Sequence, residues 1–217
     1  MDPLIVWATQ NETKRWQNDD AVVVAAPDLC RRDRLVVHGP PAAVSSLLAR
    51  AFEEVGPGFH AVGDEATIAE VRGVEMTGRF LWMDTTSATA GEERGGWLPG
   101  DGEVASFLAQ ASPRSFAQPG GTGVRRWAGI RDSSGALIAT AAEAWSAPGL
   151  GFIGGVATAP ARRGEGLAPA LCRFVTNDLL HAAERVGLVT DHWNEAAQRT
   201  YLRLGYTSRP LGVATTR

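Results

Sequence analysis

The apolar positions in the first third of the chain form two short dense runs and one segment with helical spacing. "AVVVAAP" at 21–27 and "RLVVHG" at 34–39 predict two short strands. Residues 41–55 have apolar side chains at helical spacing, with a proline early and Gly56 just after, which predicts a helix. The segment "GDEATIAEVRG" predicts a second, shorter helix, and "GRFLWMD" at 78–84 predicts a strand.

A small, polar and glycine-rich stretch interrupts this pattern at residues 85–100. Its sequence, "TTSATAGEERGGWLPG", is typical of a domain boundary or a long loop. Helical spacing resumes in "DGEVASFLAQAS", and another loop, "SPRSFAQPGGTG", follows it. We therefore divide the chain into an N-terminal α/β region, residues 1–85, and a second domain, residues 95–217. The N-terminal region is interpreted either as an extension or as a degenerate partner domain of similar architecture.

From residue 124 onward, strands and helices are easier to assign. "VRRWAGIRD" and "GALIATAAEAW" predict two strands joined by the tight turn "DSSG". "GLGFIGGVATAP" predicts a third strand, whose glycines indicate a bulge or a close backbone approach. A helix is predicted from about Ala168 to Val186, ended by Gly187. The strand "LVTDHW", a helix capped by Asn194 and a last short strand complete an α/β pattern.

The composition is that of an ordinary globular protein and argues against several function classes. Hydrophobic residues make up 44% and charged residues 21% of the 217 residues. A net charge of -3 gives no support for nucleic-acid binding, which needs a basic face. No segment approaches the ~20 apolar residues of a membrane span, and the N-terminus lacks a secretion signal. The sequence therefore predicts a cytoplasmic protein with neither a nucleic-acid nor a membrane partner.

The cysteines and tryptophans are assigned to packing. Cys30 and Cys172 have no zinc or redox spacing, and Cys172 falls within a helical apolar pattern that favours a buried core thiol. The histidines have no metal-ligand spacing, so no metal is predicted. Core packing is favoured for the tryptophans in or beside predicted strands, which are Trp82, Trp127, Trp145 and Trp193. For Trp193, next to Asn194, the alternative is a place in the lining of the acceptor pocket.

The turn "ARRGEGLA", between a predicted strand and a predicted helix, is the main candidate for a binding site. The exposed N–H groups at a helix start, together with the helix dipole, attract phosphate. Gly164 and Gly166 allow an anion to approach the backbone, and Arg163 adds a charged donor. The turn fits neither a Walker A loop nor the dinucleotide fingerprint. Taken alone, it is equally compatible with a plain turn carrying solvated arginines.

Two longer stretches carry a family resemblance over roughly residues 95–217. "VATAPARRGEGLAPAL" resembles the acyl-CoA-binding motif of the GNAT superfamily of N-acyltransferases. It fits that motif at Val156, Thr158, Pro160, Arg163, Gly164, Gly166, Ala168 and Leu171. "NEAAQRTYLRLGY" resembles a second motif of the family and fits it at Asn194, Ala197, Tyr201, Gly205 and Tyr206. The resemblance implies a mixed, twisted and partly splayed β-sheet flanked by helices.

The resemblance also implies how acetyl-CoA is held as a co-substrate. The backbone amides that would hold its pyrophosphate are those of Arg163, Gly164, Glu165, Gly166, Leu167 and Ala168. Val156 and Thr158 would pair through their backbones with the pantetheine arm, like an added strand. A backbone N–H near Ala157 would polarise the thioester carbonyl. Asn194 would contact the pantetheine, a role compatible with capping the following helix.

The same resemblance assigns Tyr201 as the general acid that protonates the departing thiolate; the alternative is a core aromatic residue. Many family members carry a glutamate on the strand before the glycine turn, and this strand has no carboxylate. Glu143 is the best substitute as the general base, followed by Asp191 and His192. An amine can also lose its proton through water, so a base is not indispensable.

The implied reaction is direct transfer of an acetyl group from acetyl-CoA to a primary amine, in a ternary complex. The acceptor is an amine-bearing small molecule or protein, and a homodimer fits the habit of the family. The alternative is a non-catalytic acyl-CoA-binding sensor or partner-binding module of the same fold. A third class, a domain for another phosphate ligand such as a nucleotide, predicts no preference for CoA over ATP.

Overall fold

The computed structural model describes the whole chain, residues 1–217. The helices are α1 (Pro3–Ala8), α2 (Pro41–Val55), α3 (Glu65–Glu70), α4 (Val104–Ala111), α5 (Leu167–Leu180) and α6 (Glu195–Arg203). The strands are β1 (Lys14–Gln17), β2 (Val22–Ala26), β3 (Arg34–His38), β4 (His60–Asp64), β5 (Val74–Thr85), β6 (Gly96–Trp97), β7 (Val124–Arg131), β8 (Leu137–Ala144), β9 (Leu150–Thr158), β10 (Arg185–Asp191) and β11 (Thr207–Thr216). None of the helices combines the length and the hydropathy that crossing a membrane requires.

These elements form two compact units, and each unit is built from segments that are not consecutive in the sequence. The first unit contains Met1–Trp82, Val189–Asn194 and Ser208–Arg217, and the second contains Met83–Leu188 and Glu195–Thr207. The first break lies close to the predicted boundary at residue 85. The end of the chain, however, joins the first unit, because β11 pairs with β4 in antiparallel register.

The first unit is an antiparallel β-meander followed by a parallel crossover. β1, β2 and β3 pair in antiparallel order, and β4 lies parallel to β3 with α2 between them in sequence. α2 forms because its apolar side chains recur at helical spacing and can all face the strands. The side chains it buries in the core of this unit are Val44, Leu47, Leu48, Ala51 and Phe52.

The second unit repeats this order of elements. β6, β7, β8 and β9 pair in antiparallel order, and β10 lies parallel to β9 with α5 between them in sequence. α6 then follows β10 as α3 follows β4. Helices and a mixed sheet confirm the predicted α/β class. The interpretation of the N-terminal region, as an extension or as a degenerate partner domain of similar architecture, stays a prediction.

The main error in the predicted elements concerns the end of α5. The helical spacing predicts a helix as far as Val186, but α5 ends at Leu180 and Arg185 already begins β10. Val186 lies opposite Gly151 of β9 and therefore belongs to the strand. Apolar residues in the connecting turn continue the helical spacing, so the pattern alone does not reveal where the helix stops. The helix α1 and the strands β1, β4 and β6 are not among the predicted elements.

The predictions for tryptophan and cysteine hold with one exception. Trp82, Trp127 and Trp145 are buried, as are both cysteines. Trp193 is 63% exposed, so its assignment to the core is wrong. It lies in the turn between β10 and α6 rather than within a strand.

Arg209 ties the N-terminus of the chain to β11 within the first unit. Its guanidinium donates to both carboxylate oxygens of Asp2, at 2.7 and 3.2 Å, and pairs with Asp64 at 3.1 Å. Asp2 also accepts from the Leu4 N–H at 2.9 Å and so caps α1. Burial alone would raise the pKa of Asp2, but the hydrogen bond and charge of Arg209 and the Leu4 N–H outweigh it, so the pKa is lowered.

We expect Arg209→Met to lower the free energy of unfolding by about 2 kcal/mol at pH 7, because it removes the guanidinium that donates to both oxygens of the buried Asp2 carboxylate and leaves only His38 beside it. Since folding lowers the pKa of Asp2, the contribution is present above the unfolded-state value of ~3.9 and is lost as the pH falls through the folded-state value. Urea unfolding should therefore show a smaller difference in the free energy of unfolding between wild type and Arg209→Met at pH 3 than at pH 7. The exposed Arg32→Met is the control, and an equal loss at both pH values would contradict this account.

Candidate functional site

β9 contains the bulge that its glycines predict. β8 and β9 are antiparallel, with Ala142 opposite Gly154 and Thr140 opposite Ala157. Two residues of β9, Gly155 and Val156, therefore face one residue of β8 in the register. The φ angle of Gly155 is +60°, a left-handed value that favours glycine.

β9 is paired on both sides only at its start. Its parallel register with β10 covers Leu150–Phe152 of β9 and Arg185–Gly187 of β10. β9 nevertheless continues to Thr158, paired with β8 alone. The two parallel strands thus separate, as the predicted partly splayed sheet requires. Residues 153–158 are left with an unpaired backbone edge.

The backbone N–H and C=O groups of Val156 both point toward this unpaired edge. The C=O of Gly155 accepts a hydrogen bond from the Thr140 hydroxyl of β8 at 3.2 Å, so this carbonyl points toward β8. The peptide bonds are trans, so the Val156 N–H points the opposite way. Ala157 lies opposite Thr140 and faces β8 in the ladder, which turns the Val156 C=O outward as well. The Val156 N–H is therefore one of the outward N–H groups that flank Ala157.

Thr158 presents its backbone groups at the same edge. The N–H of Ala159 donates to the C=O of Ile138 at 2.9 Å, across the ladder to β8. The Thr158 C=O, trans to that N–H, therefore points away from β8. Because hydrogen-bonded and non-hydrogen-bonded pairs alternate, the Thr158 N–H points away too. Val156 and Thr158 together offer two donors and two acceptors along one edge; their pairing with a pantetheine arm stays a prediction.

The glycine-rich turn after β9 holds a run of free N–H groups. Gly164 has a φ of +86°, and Gly166, directly before α5, has a φ of +75°. A Cβ at either position would meet no atom within 4 Å, so the space outside the turn is open. The N–H groups from Gly164 to Ala168 donate to no backbone acceptor of the chain. Such groups at the start of a 14-residue helix attract an anion.

The two arginines of the turn have structural partners. Arg163 donates to the C=O of Ala111 at the end of α4, at 3.1 Å. Arg162 forms a bidentate pair with Glu165 at 2.7 and 2.8 Å. The hydrogen bond from Arg162 lowers the pKa of Glu165, so this carboxylate stays charged beside the free amides. Arg162 therefore balances a negative charge that would otherwise repel an anion.

Tyr201 lies on α6 and is buried, with 6% of its surface exposed. Its ring centroid is 5.7 Å from that of Tyr206, whose hydroxyl lies 2.7 Å from that of Thr176 on α5. Burial, with Cys172 and Tyr206 close by, raises the pKa of Tyr201 well above its usual value. Burial also raises the pKa of Cys172 to about 12. Both side chains therefore remain protonated and neutral at pH 7.

Glu143 is held by two arginines. It lies on β8 with 7% of its surface exposed, and its carboxylate accepts from Arg125 at 3.1 Å and from Arg126 at 2.7 Å. Arg126 also pairs with Asp178 on α5 at 2.9 Å and stacks on Trp97, 3.6 Å from the ring centroid. These contacts explain the burial of a charged group without catalysis and favour a structural role over that of a general base.

We expect Glu143→Gln to lower the thermal midpoint by several degrees, because it leaves two guanidinium groups without their shared counter-charge. The turnover number of any acyl transfer should stay within about threefold of wild type, since a lost general base would cost at least ~100-fold. Calorimetric melting and CoA-release assays on the same preparation give both quantities. A hundredfold loss of turnover at unchanged stability would restore Glu143 as the base.

The remaining predicted residues lie in the segment 189–194, which belongs to the first unit. Asn194 immediately precedes α6, as expected of a cap, and its N–H donates to the C=O of Asp191 at 3.0 Å. His192 is exposed, and its Nδ1 lies 3.2 Å from the C=O of Arg79. The pantetheine contact of Asn194 and the base roles of Asp191 and His192 stay predictions.

Sequence reasoning missed Thr140, which is fully buried and orients the Gly155 carbonyl. The only signal for it is a hydroxyl residue within an otherwise apolar, alanine-rich strand. Its partner on β9 depends on the register, which the sequence does not specify.

The overall fold matches solved structures of acetyltransferases. A GCN5-related N-acetyltransferase from Kribbella flavida gives a TM-score of 0.66 at 20% identity, covering 98% of this chain and 92% of that one. An acetyltransferase of the GNAT family from Novosphingobium aromaticivorans gives 0.59 at 22% identity, covering 97% and 94%. A GCN5-related N-acetyltransferase from Sphaerobacter thermophilus gives 0.57 at 18% identity, covering 92% and 81%.

A family model gives a match that is independent of the fold. Residues 128–214 match the family described as FR47-like protein. This segment contains β9, the glycine turn, α5 and α6. No curated protein matches the chain. The resemblance to the GNAT superfamily is thereby confirmed: the chain has the fold of the GCN5-related N-acetyltransferases, and its residues 128–214 match the FR47-like family.

Proposed function

We propose that the second unit transfers an acetyl group from acetyl-CoA to a primary amine of an acceptor, by direct attack in a ternary complex. The observation that carries the proposal is the run of free N–H groups from Gly164 to Ala168, next to the unpaired edge of β9. The turn suits a pyrophosphate, and the edge suits an extended amide-containing arm. CoA carries both chemical groups, whereas ATP carries only the phosphates.

The backbone would bind and polarise the donor. The amides of the turn would bind the pyrophosphate, and the outward groups of Val156 and Thr158 would bind the pantetheine amides as an added strand does. The Val156 N–H would donate to the thioester oxygen, where negative charge develops during attack. The acyl donor supplies an activated thioester, and positioning is the main contribution of the chain.

Proton transfer would complete the reaction. A C–N bond forms between the amine and the carbonyl carbon, the C–S bond breaks, and Tyr201 gives its proton to the departing sulfur. The amine proton leaves through water, since Glu143 is held by Arg125 and Arg126. Tyr201 is then reprotonated from solvent. A phenol is suited to the acid role because it is still protonated when the thiolate forms.

The rival function is acyl-CoA binding without catalysis. The ion pairs of Glu143 favour it, because they leave β8 and β9 without a free carboxylate. Turnover separates the two functions. CoA release with a panel of amines supports the enzyme, and tight binding of acetyl-CoA without release by any amine supports the sensor.

The first unit is not expected to offer a second donor site. Its corresponding turn, between β3 and α2, contains Pro40 and Pro41, which have no N–H to donate. A Cβ on Gly63 of β4 would lie 2.6 Å from the Val37 side chain of β3, so these two strands stay in close contact beyond their paired residues. The amides and the strand edge that mark the second unit are both missing here.

Isothermal titration with acetyl-CoA, CoA and ATP tests the proposal. We expect micromolar binding of acetyl-CoA and CoA with a stoichiometry near one per chain, and binding of ATP at least tenfold weaker. A stoichiometry near two would contradict the expectation that only the second unit binds the acyl donor. Equal affinity for ATP and CoA would favour a general phosphate site, and no binding of any of the three would remove the proposed function.

A further inference from the structure

Two buried tryptophans cover the bulge of β9. A Cβ built on Gly155 would lie 2.5 Å from both Cη2 and Cζ3 of Trp127, so the indole rests directly on the glycine. A Cβ on Gly154 would lie 3.1 Å from Cζ3 of Trp145. Both rings are almost fully buried, at 3% and 2% exposure. The space that side chains at these two positions would occupy is therefore filled by aromatic carbon.

The covering is apolar and lies on one face of the sheet. Ala117 is also close, since its Cβ lies 3.2 Å from a Cβ on Gly155 and 3.5 Å from one on Gly154. Trp145 packs edge-to-face on Phe152, with ring centroids 6.2 Å apart. We call Ala117, Trp127, Trp145 and Phe152 the aromatic wall. None of its side chains carries a charge.

The aromatic wall faces away from α5. Arg126 reaches Asp178 on α5, and neighbouring residues of a strand point to opposite faces, so Trp127 points to the other face. Tyr201 is on α6, which packs against α5. The wall and the proposed acid therefore lie on opposite faces of β9, with the Val156 N–H between them.

Trp145 adopts a strained backbone conformation to reach its place. Its φ angle is +54°, an outlier for a bulky residue, and its N–H donates to the C=O of Gly123 at 2.7 Å. The indole N–H groups of Trp127 and Trp145 are both buried without an acceptor. The backbone strain and the two unpaired indole N–H groups both disfavour this arrangement. Polar contacts therefore do not explain why large flat rings cover the bulge.

We infer that the aromatic wall limits the acyl group of the donor to a short chain, with Trp127 as the main specificity-determining residue. The inference rests on the proposed function and deepens it. A trigonal thioester carbon held at the Val156 N–H directs its sulfur and its acyl carbon to different sides. If the sulfur faces Tyr201, the acyl carbon faces the wall. The Trp127 ring already fills the space over Gly155, so an acetyl methyl group would end beside the glycine and a longer chain would meet the ring.

Binding measurements test this inference without knowledge of the acceptor. Isothermal titration of wild type, Trp127→Phe and Trp127→Leu with CoA, acetyl-CoA and octanoyl-CoA gives each acyl affinity relative to free CoA. Because the Trp127 N–H has no acceptor, Trp127→Phe removes no hydrogen bond and should fold. We expect wild type to bind octanoyl-CoA at least tenfold more weakly than CoA. In the two variants the affinities for octanoyl-CoA and CoA should become nearly equal, and Trp127→Leu should show the larger increase in octanoyl-CoA affinity.

The matched control is Trp97→Phe. Trp97 is on β6 and stacks on Arg126 and on Phe174 of α5, so it lies on the opposite face from the wall. Its substitution should leave the octanoyl ratio unchanged. Two results would overturn the inference: wild type binding octanoyl-CoA as tightly as CoA, or both Trp127 variants leaving the ratio of these two affinities unchanged. In either case, binding of CoA itself would still support the proposed function. Failure of wild type to bind CoA at all would remove both.

Discussion

Replacing Gly166 by glutamate is expected to weaken acetyl-CoA binding at least a hundredfold. Two effects add in this variant. A side chain at a φ of +75° strains the turn by about 1–2 kcal/mol, which displaces the amides from Gly164 to Ala168. A carboxylate at the helix start also repels the pyrophosphate it would face. A hundredfold loss corresponds to about 2.7 kcal/mol of binding free energy, which these effects together can supply.

Gly166→Ala separates strain from charge. A Cβ at this position meets no atom within 4 Å, so alanine introduces the backbone strain without a steric clash or a charge. We expect a loss of affinity of about tenfold. The matched control is Gly73→Ala in the first unit, where φ is +79° and the space around a Cβ is equally open. Titration should show an unchanged affinity for acetyl-CoA in Gly73→Ala, while urea unfolding shows a lower stability. Unchanged binding by Gly166→Glu would show that the turn is not the phosphate site.

Tyr201→Phe is expected to reduce the turnover number 100- to 1,000-fold, the usual contribution of a general acid. The affinity for acetyl-CoA should change less than threefold, because the phenol acts on the departing sulfur and not on the bound donor. Single-turnover CoA release and titration on one preparation separate these quantities. The control is Tyr206→Phe, which breaks the hydrogen bond to Thr176. It should lower the stability of the protein and leave the turnover number nearly unchanged.

The pH profile gives a second test of Tyr201. Burial raises its pKa well above the ordinary phenol value of ~10, so the acid form persists through the alkaline range. The turnover number should therefore not fall between pH 8 and pH 10 through loss of this proton. A decline in that range that Tyr201→Phe abolishes would mean that the phenol is not buried during catalysis. Equal turnover by wild type and variant would remove Tyr201 from the mechanism.

The sequence predicts the parts of the site that depend on local backbone chemistry. Gly164, Gly166 and the helix after them define the turn whatever the tertiary structure, and the glycines of β9 indicate the bulge. The parts that it predicts poorly depend on pairing. The ion pairs of Glu143 follow from the register that sets it opposite Arg126. The contact of Trp127 with Gly155 likewise joins β7 to β9, two strands that are not adjacent in the sheet.

The fold shows the same division between local and long-range information. The helices α2 and α6 are predicted close to their observed positions because helical spacing is local. The end of α5 is wrong because the start of β10 is set by its pairing with β9. The assignment of β11 to the first unit depends on its pairing with β4, almost 150 positions earlier (211 against 64). No pattern within β11 itself carries that information.

The return of the last strand to the first unit constrains the order in which the chain can fold during synthesis. The second unit contains no residue beyond Thr207, whereas the first contains Ser208–Arg217. The N-terminal part of the first unit is therefore made long before the strand that completes it, and the edge of β4 stays exposed until Ser208–Arg217 are made. Truncation by about ten residues should consequently damage the N-terminal half of the molecule before the half that contains the glycine turn.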